Sequence, residues 1–310
     1  MSHKMSRRKF IKIAGAAGAG IYSFGILGCG KKTVLHSRTL RDNTLNDRVV
    51  VGQGDDIRSV VRAVVERLGG MPSLVREGDI VVVKPNIGWT TPPQLGACTN
   101  PEVVASVVEL CYEAGAKKVK VFDRGCRDDR ISYQRSGIAD AAKKAGAEVF
   151  FVDNRFFREV PIEKGKKLTS WPIYEDAVKA DVLINLPVAK VHNATGLTLS
   201  LKNLMGTAGA DRGTWHQSLH QKIADYYTAL PCDLGILDAY RIMVSNGPAG
   251  GSPGDVRLKK TIVASKDLVA LDAFAAKEFF NKTPDEVRHI KYAHEHGTGN
   301  MDFSERVLRI

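Results

Sequence analysis

Lys190, His192 and Asn193, followed ten residues after the histidine by Lys202 and Asn203, crowd one window of the chain, DVLINLPVAKVHNATGLTLSLKNLMGTAG at 181–209. His192 is the best candidate acid/base group, because the ordinary pKa of imidazole lies near neutrality. The ammonium groups of Lys190 and Lys202 suit a carboxylate or a phosphate. A chance histidine in a polar surface loop is the bland alternative. Titratable groups clustered between apolar runs favour a site over it. The apolar run Val182–Asn185 reads as a buried strand that stops at Leu186-Pro187, with the polar groups on its exit.

Other apolar runs end the same way. Lys84 and Asn86 follow Ile80–Val83, Asp123 and Arg124 follow Val119–Phe122, Asp238 follows Leu234–Leu237, and Lys266-Asp267 follows Thr261–Ala264. Each exit alone is equally well explained by contact with solvent, and Asp238 and Asp267 serve equally well as helix caps. In an open parallel sheet, however, the carboxyl ends of all strands meet at one rim, and ligands bind there. The expectation is one pocket holding His192, Lys202 and Lys84, with Asp123 or Asp238 within reach of a cation. His192 and Asp123 are its candidate catalytic groups. Lys84, Asn86, Arg124, Lys190, Lys202, Asn203 and Asp238 are its candidate binding groups, with Arg124 offering a bidentate fork.

Two further motifs carry weaker chemistry. His216 and His220 stand at i and i+4 in a stretch, Thr214–Leu230, that fits a helical period. They would share a helix face and could ligate a metal, or be one exposed and one packed histidine. No Glu lies between them to act as a zincin-type base. GPAGGSPG at 247–254 allows close backbone approach to an anion but lacks the Lys-Ser/Thr of a P-loop and the spacing of a dinucleotide fingerprint.

Elements that would position these groups alternate along the chain. Helical spacing over 57–68 starts at Asp55-Asp56 and stops at Gly69-Gly70. Pro101 opens a helix to Ala114, with Asn100 as a cap. Further helices are expected over 138–145, 174–179, 268–280 and 284–295, and strands over 49–51 and 149–152, with an edge strand at 306–310. Strands alternating with helices predict an α/β fold, a mostly parallel sheet with helices on both faces.

The window around His192 also resembles the signature of the uncharacterised family called domain of unknown function 362, approximately N-x-P-x-x-K-x-H-x-x-x-G…K-N-x-x-G. VVVKPN at 81–86, VFDRG at 121–125, GPAGG at 247–251 and VALDAFAA at 269–276 extend the resemblance over nearly the whole chain after about residue 48. More distantly, the spacing from His192 to Lys202 is similar to a His…Lys pair in the cofactor-binding domain of nickel-pincer lactate racemases. That similarity implies proton or hydride chemistry beside a carbonyl or hydroxy acid, with Lys202 as a cofactor or anion anchor. Some family relatives carry ferredoxin motifs. This chain has Cys29, Cys98, Cys111, Cys126 and Cys232 and no C-x-x-C pair, which speaks against a ferredoxin-type iron–sulfur cluster. A metal or organometallic cofactor stays open. Cys111 reads as core, and disulfides among Cys98, Cys126 and Cys232 also stay open.

Net charge is +11, but Lys4, Arg7, Arg8, Lys9 and Lys12 meet no acid in the first 28 residues, which leaves +6 for the rest. No later Lys/Arg run is interleaved with aromatics, so no nucleic-acid partner is expected. Ser6–Lys12, SRRKFIK, is an almost complete twin-arginine export motif, followed by a short Gly/Ala-rich apolar stretch to Leu27. Ile26-Leu27-Gly28-Cys29 resembles a lipobox, which would make Cys29 a lipidation site and a membrane anchor. The expected organisation is a signal at 1–29, a polar tether at 30–47 and a single α/β domain at 48–310. The expected protein is delivered folded by the twin-arginine machinery to the periplasm or the outer face of the cytoplasmic membrane. There it would bind an anionic small molecule or a preloaded cofactor, with His acid/base chemistry. The alternative is a non-catalytic, lipid-anchored periplasmic binding or redox-assembly protein.

Overall fold

Val81, Val82 and Val83 are all fully buried, and they alternate between two apolar cores, Val81 and Val83 in one and Val82 in the other. A strand apolar on both faces needs cover on both, and that requirement organises the computed structural model, which describes residues 34–40 and 48–310. The elements run β1 (Val49–Gln53), α1 (Ile57–Arg67), β2 (Ile80–Pro85), α2 (Pro101–Glu113), β3 (Lys118–Val121), α3 (Asp129–Arg135), α4 (Ile138–Lys144) and β4 (Glu148–Val149). Then come β5 (Phe157–Pro161), β6 (Ser170–Tyr174), α5 (Glu175–Lys179), β7 (Val182–Leu186), β8 (Val188–His192), β9 (Gly196–Thr198) and α6 (Ser200–Asn203). The chain closes with α7 (Leu219–Ala229), β10 (Leu234–Met243), β11 (Val256–Ser265), α8 (Leu268–Phe280), α9 (Arg288–Glu295) and β12 (Val307–Arg309).

The main sheet has the order β12-β1-β11-β10-β7-β2-β3-β4, with β8 beside β10 and β9 beside β8. Most pairs are parallel, while β11 runs antiparallel to both β1 and β10. Helices α1, α2 and α4 cover one face and α7, α8 and α9 the other. The fold is therefore α/β, with a mostly parallel sheet between helices. From β2 the chain builds outward through β3 and β4 and then returns to β7 on the other side of β2. That reversal opens a crevice beyond the carboxyl ends of β2 and β7.

Capping follows the sequence. Asp56 accepts from Arg58 N at the start of α1, Asn100 from Glu102 N at α2, and Asp267 from Val269 N and Ala270 N at α8.

Three local expectations are corrected. First, Pro187 interrupts the ladder for only one residue: its carbonyl accepts from Asp238 N at 2.9 Å, and the chain resumes as β8, which folds back on β9. The polar exit loop is a hairpin. Second, the strand expected over 149–152 is limited to Glu148–Val149, because Phe150 turns into an aromatic cluster with Phe122 and Tyr174. Third, residues 34–40 of the expected tether lie against the domain. Val34 bridges to Glu159, Ser37 Oγ donates to Pro161 O at 2.7 Å, and the guanidinium of Arg38 is buried in an ion pair with Asp233. The signal expected at 1–29, with Arg7, Arg8 and Cys29, lies outside the described residues. Among the described residues, no helix is long and apolar enough to cross a membrane.

Candidate functional site

Alternation along β8 decides which groups meet. Ala189 and Val191 pack into the core that holds α7 to α9, so Lys190 and His192 share the opposite face. The hairpin register pairs Lys190 with Thr198 and His192 with Gly196, which brings the Thr198 side chain to that same face. Lys84 and Asn86 come from the end of β2, Asp123 and Arg124 from the end of β3, and Lys202 and Asn203 from α6. All of them line one pocket of about 80 Å³, together with Trp89, Cys126, Met205, Gly206 and Pro248.

Polar groups at its floor form one network. Lys84 Nζ stands 2.8 Å from Asp123 Oδ1 and donates to Pro85 O (2.8 Å) and Asn203 Oδ1 (3.1 Å). Asn203 also accepts from Asn86 Nδ2 (3.0 Å) and donates to Asn185 Oδ1 (2.8 Å). Asp123 Oδ2 accepts from Ile87 N at 2.6 Å, which leaves Lys84 as the cation against its other oxygen. Burial pushes the Lys84 ammonium below the usual lysine range even with Asp123 beside it.

Lys190 and Lys202 are different, because neither meets a carboxylate among the described residues. Lys190 Nζ is buried and donates to Asn86 Oδ1 (3.2 Å) and Ala97 O, with the Trp89 ring centroid 6.0 Å away. Among the described residues, Lys202 Nζ meets only the Met205 sulfur, at 3.5 Å. Burial lowers the pKa of each to about 8. His192 is lowered further, to about 3, first by burial and then by Lys202 and Lys190. Its Nδ1 accepts from Ala194 N at 3.0 Å, so the proton of the neutral ring sits on Nε2. In this state His192 is a hydrogen-bond donor, and its only basic nitrogen is engaged. The Thr198 hydroxyl is buried and has no hydrogen-bond partner among the described residues.

Asp238 is not in the pocket. Its carboxylate accepts from Asn100 N (2.7 Å) and Tyr240 N (3.0 Å), holding the start of α2 on β10, and burial raises its pKa to about 6. His216 and His220 do not share a helix face. His216 closes a 3₁₀ turn at Arg212–His216, Ser218 takes a φ of 69°, and only His220 lies in α7. His220 Nδ1 faces His289 Nδ1 at 3.1 Å, although both histidines of the motif line one cleft with Lys167 and Arg288. Among the described residues, no group of three or more His, Cys, Asp or Glu is placed to hold a metal ion. Cys98, Cys111, Cys126 and Cys232 are free thiols, and Cys111 is core.

Sequence reasoning passed over several residues. Thr198 was legible from V-A-K-V-H and G-L-T as two alternating runs around a short turn. Gly206 ends the K-N-x-x-G pattern. A Cβ there would stand 1.7 Å from Asp123 Oδ1, so only glycine lets the ion pair form beneath it. Gly247 is similar: a Cβ would stand 2.0 Å from Val191 O, so the Gly/Pro loop packs directly on β8 and sets Pro248 at the rim. Asp272 lies on α8 and accepts from Ser200 N (2.7 Å) and Leu201 N (2.9 Å), capping α6 from outside and so positioning Lys202 and Asn203. No local pattern announces a cap 72 residues away. Asp272→Ala is expected to leave both amides unpaired, at roughly 1–3 kcal/mol each, and to lower the urea midpoint accordingly. An unchanged midpoint would refute the capping role.

A curated relative described as a thylakoid-associated protein, from Synechocystis sp., is 30% identical over 227 residues, 68% of this chain and 66% of its own length. A protein of Thermotoga maritima with a solved structure matches at a TM-score of 0.38 and 14% identity, over 80% of this chain and 60% of that one. The lactate racemase apoprotein of Thermoanaerobacterium thermosaccharolyticum matches at a TM-score of 0.40 and 13% identity, over 72% and 55%. The chain thus spans just under two thirds of the curated relative and less of the two solved structures. The family model described as Domain of unknown function (DUF362) matches residues 81–277, a range that contains every residue of the strand-end pocket, and the chain belongs to that family.

Proposed function

We propose that this protein binds an anionic small molecule, or a cofactor carrying an anionic group, in the pocket at the carboxyl ends of β2, β3 and β7. The observation that carries the reading is the pair Lys190, fully buried, and Lys202, half-buried, two ammonium groups with no carboxylate against them among the described residues. A protein does not keep such charges from water without a counter-charge unless a ligand supplies it. Lys84 differs because Asp123 already neutralises it, and its place is to hold Asn203 and Asn86 in register. His192 and Thr198 offer an N–H and a hydroxyl to the same ligand.

The test is calorimetric titration with sulfate, a small dianion. Lys190→Gln keeps a polar side chain, one atom shorter, and removes the charge. It is expected to weaken sulfate binding by on the order of tenfold to a hundredfold, the worth of one charged hydrogen bond. Wild-type protein that takes up no sulfate would refute the reading.

Whether the bound molecule is turned over is a separate matter. His192 as a general base needs a free nitrogen and a pKa near neutrality, and here Nδ1 is engaged and the pKa is low. That observation favours the second reading, a binding or redox-assembly protein that holds its ligand without converting it.

We also propose export by the twin-arginine route and lipidation at Cys29, on the strength of SRRKFIK and ILGC. The description of a relative as thylakoid-associated fits a protein attached to a membrane. Arg7→Lys with Arg8→Lys should hold the protein in the cytoplasm, and Cys29→Ser should release it from the membrane fraction. Unchanged fractionation of both variants would remove this part of the proposal.

A further inference from the structure

The pocket is narrow, and it adjoins a much larger cleft. Its volume of about 80 Å³ accommodates several waters or one compact anion. Around it Lys84, Lys190, Lys202 and Arg124 stand against the single carboxylate of Asp123. That excess calls for a dianion rather than a monoanion. The donors not already committed, the Lys202 ammonium, the His192 Nε2–H, the orphan Thr198 hydroxyl and the remaining capacity of Lys190, outnumber the two oxygens of a carboxylate. A phosphate monoester presents three terminal oxygens and about two charges near neutral pH.

Arg124 lines both this pocket and a cleft of about 650 Å³, whose other lining residues include Asn154, Phe157, Pro172, Asp211 and Arg212. It is fixed there, because Nη1 donates to Ala208 O (3.0 Å) and Ala210 O (2.9 Å) and the guanidinium lies 5.8 Å from the Phe157 ring centroid. Arg212 is tied down by the carbonyls of Arg124, Met205 and Gly125. The remaining polar groups of the cleft are an amide at Asn154 and a carboxylate at Asp211. Asp211 Oδ1 accepts from Gly213 N at 2.8 Å, which leaves Oδ2 to accept from a ligand hydroxyl, while Phe157 and Pro172 offer an apolar floor.

Building on the anion-binding reading, we infer that the ligand is a phosphorylated polyol or sugar, with its phosphate in the strand-end pocket and its neutral, hydroxyl-bearing body in the cleft beyond Arg124. The body adds hydrogen bonds and buried surface that a free anion cannot make. Sugar phosphates should therefore bind more tightly than inorganic phosphate, and the difference should depend on residues that never touch the head.

Calorimetric titration of the full chain with inorganic phosphate, phenyl phosphate and glucose 6-phosphate tests this. Glucose 6-phosphate is expected to bind at least about tenfold more tightly than inorganic phosphate, as two or more neutral hydrogen bonds would give. Asn154→Ala and Asp211→Asn should each reduce glucose 6-phosphate binding by roughly threefold to tenfold and leave inorganic phosphate unchanged. Equal affinity for inorganic phosphate and glucose 6-phosphate would overturn the inference while leaving the anion site standing. Tighter binding of phenyl phosphate than of the sugar phosphate would overturn the hydroxyl-bearing body. Failure of both inorganic phosphate and sulfate to bind would instead remove the anion site on which the inference rests.

Discussion

Gly206→Ala is expected to empty the pocket of function and to cost the fold several kcal/mol, although it adds one methyl group. The new Cβ would stand 1.7 Å from Asp123 Oδ1 and 2.6 Å from Lys84 Nζ, so the ion pair cannot persist in place. Breaking a buried pair costs about 3–5 kcal/mol, and crowding a packed interior adds about 1–3 kcal/mol. Relaxation of the backbone will recover part of this. Arg124 moves too, because its amide donates to Gly206 O at 2.9 Å. Urea denaturation should show a loss of at least ~3 kcal/mol, and sulfate titration should show no binding. Gly251→Ala, at a position with open space around it, should match wild type in both. A Gly206→Ala protein of unchanged stability would show that the pair does not sit where it is described.

Sulfate affinity is expected to stay level from about pH 5 to 7 and to fall steeply above about pH 8. Sulfate keeps its charge across this range, so the profile reports the protein alone. Lys190 and Lys202 each have a pKa near 8 in the ligand-free protein, and an anion prefers their protonated forms. As pH rises through that value, binding must take up protons, and linkage makes affinity drop. The bound anion raises both pKa values, so the complex once formed resists deprotonation to higher pH. With two charged contacts at stake, the loss by about pH 10 should reach a hundredfold or more. His192, held near 3, contributes no step in the window. A step between about pH 6 and 7 that His192→Gln abolishes would mean that His192 titrates there and that the neutral donor assigned to it is wrong, whereas a step that persists would belong to Asp272, which burial raises to about 7.

The sheet was legible because its central strands carry runs of Val, Ile and Leu, as at Ile80–Val83 and Val182–Ile184. The strand-end residues were legible because Lys84, Asp123 and Asn185 each follow such a run directly. Asp238 obeyed the same rule and still lies outside the pocket. Its carboxylate is used by two backbone amides, a fact of three-dimensional spacing that sequence order does not encode. His216 and His220 failed for a local reason: Ser218, at positive φ, breaks the helix that their spacing required. The hairpin at 188–198 was hidden by Pro187, which reads as a terminator when weighed alone. Asp272 and Gly206 act through contacts with residues far along the chain or through space that must stay empty, and neither leaves a periodic trace.

Arg38 has a mechanical consequence. Its guanidinium is held by Asp233, Pro231 O and Asp181 O, and its backbone amide by Ala229 O, while Asp233 also receives Leu183 N from β7. Tension arriving from upstream residues would therefore meet a side-chain latch before it reached β1, and the sheet would be shielded from a pull that peels its strands apart. A chain begun at residue 48 would lack the latch as well as the tether. It would leave Asp233 buried without its cation and the β5–β6 hairpin without the seam that fastens it to the end of α7.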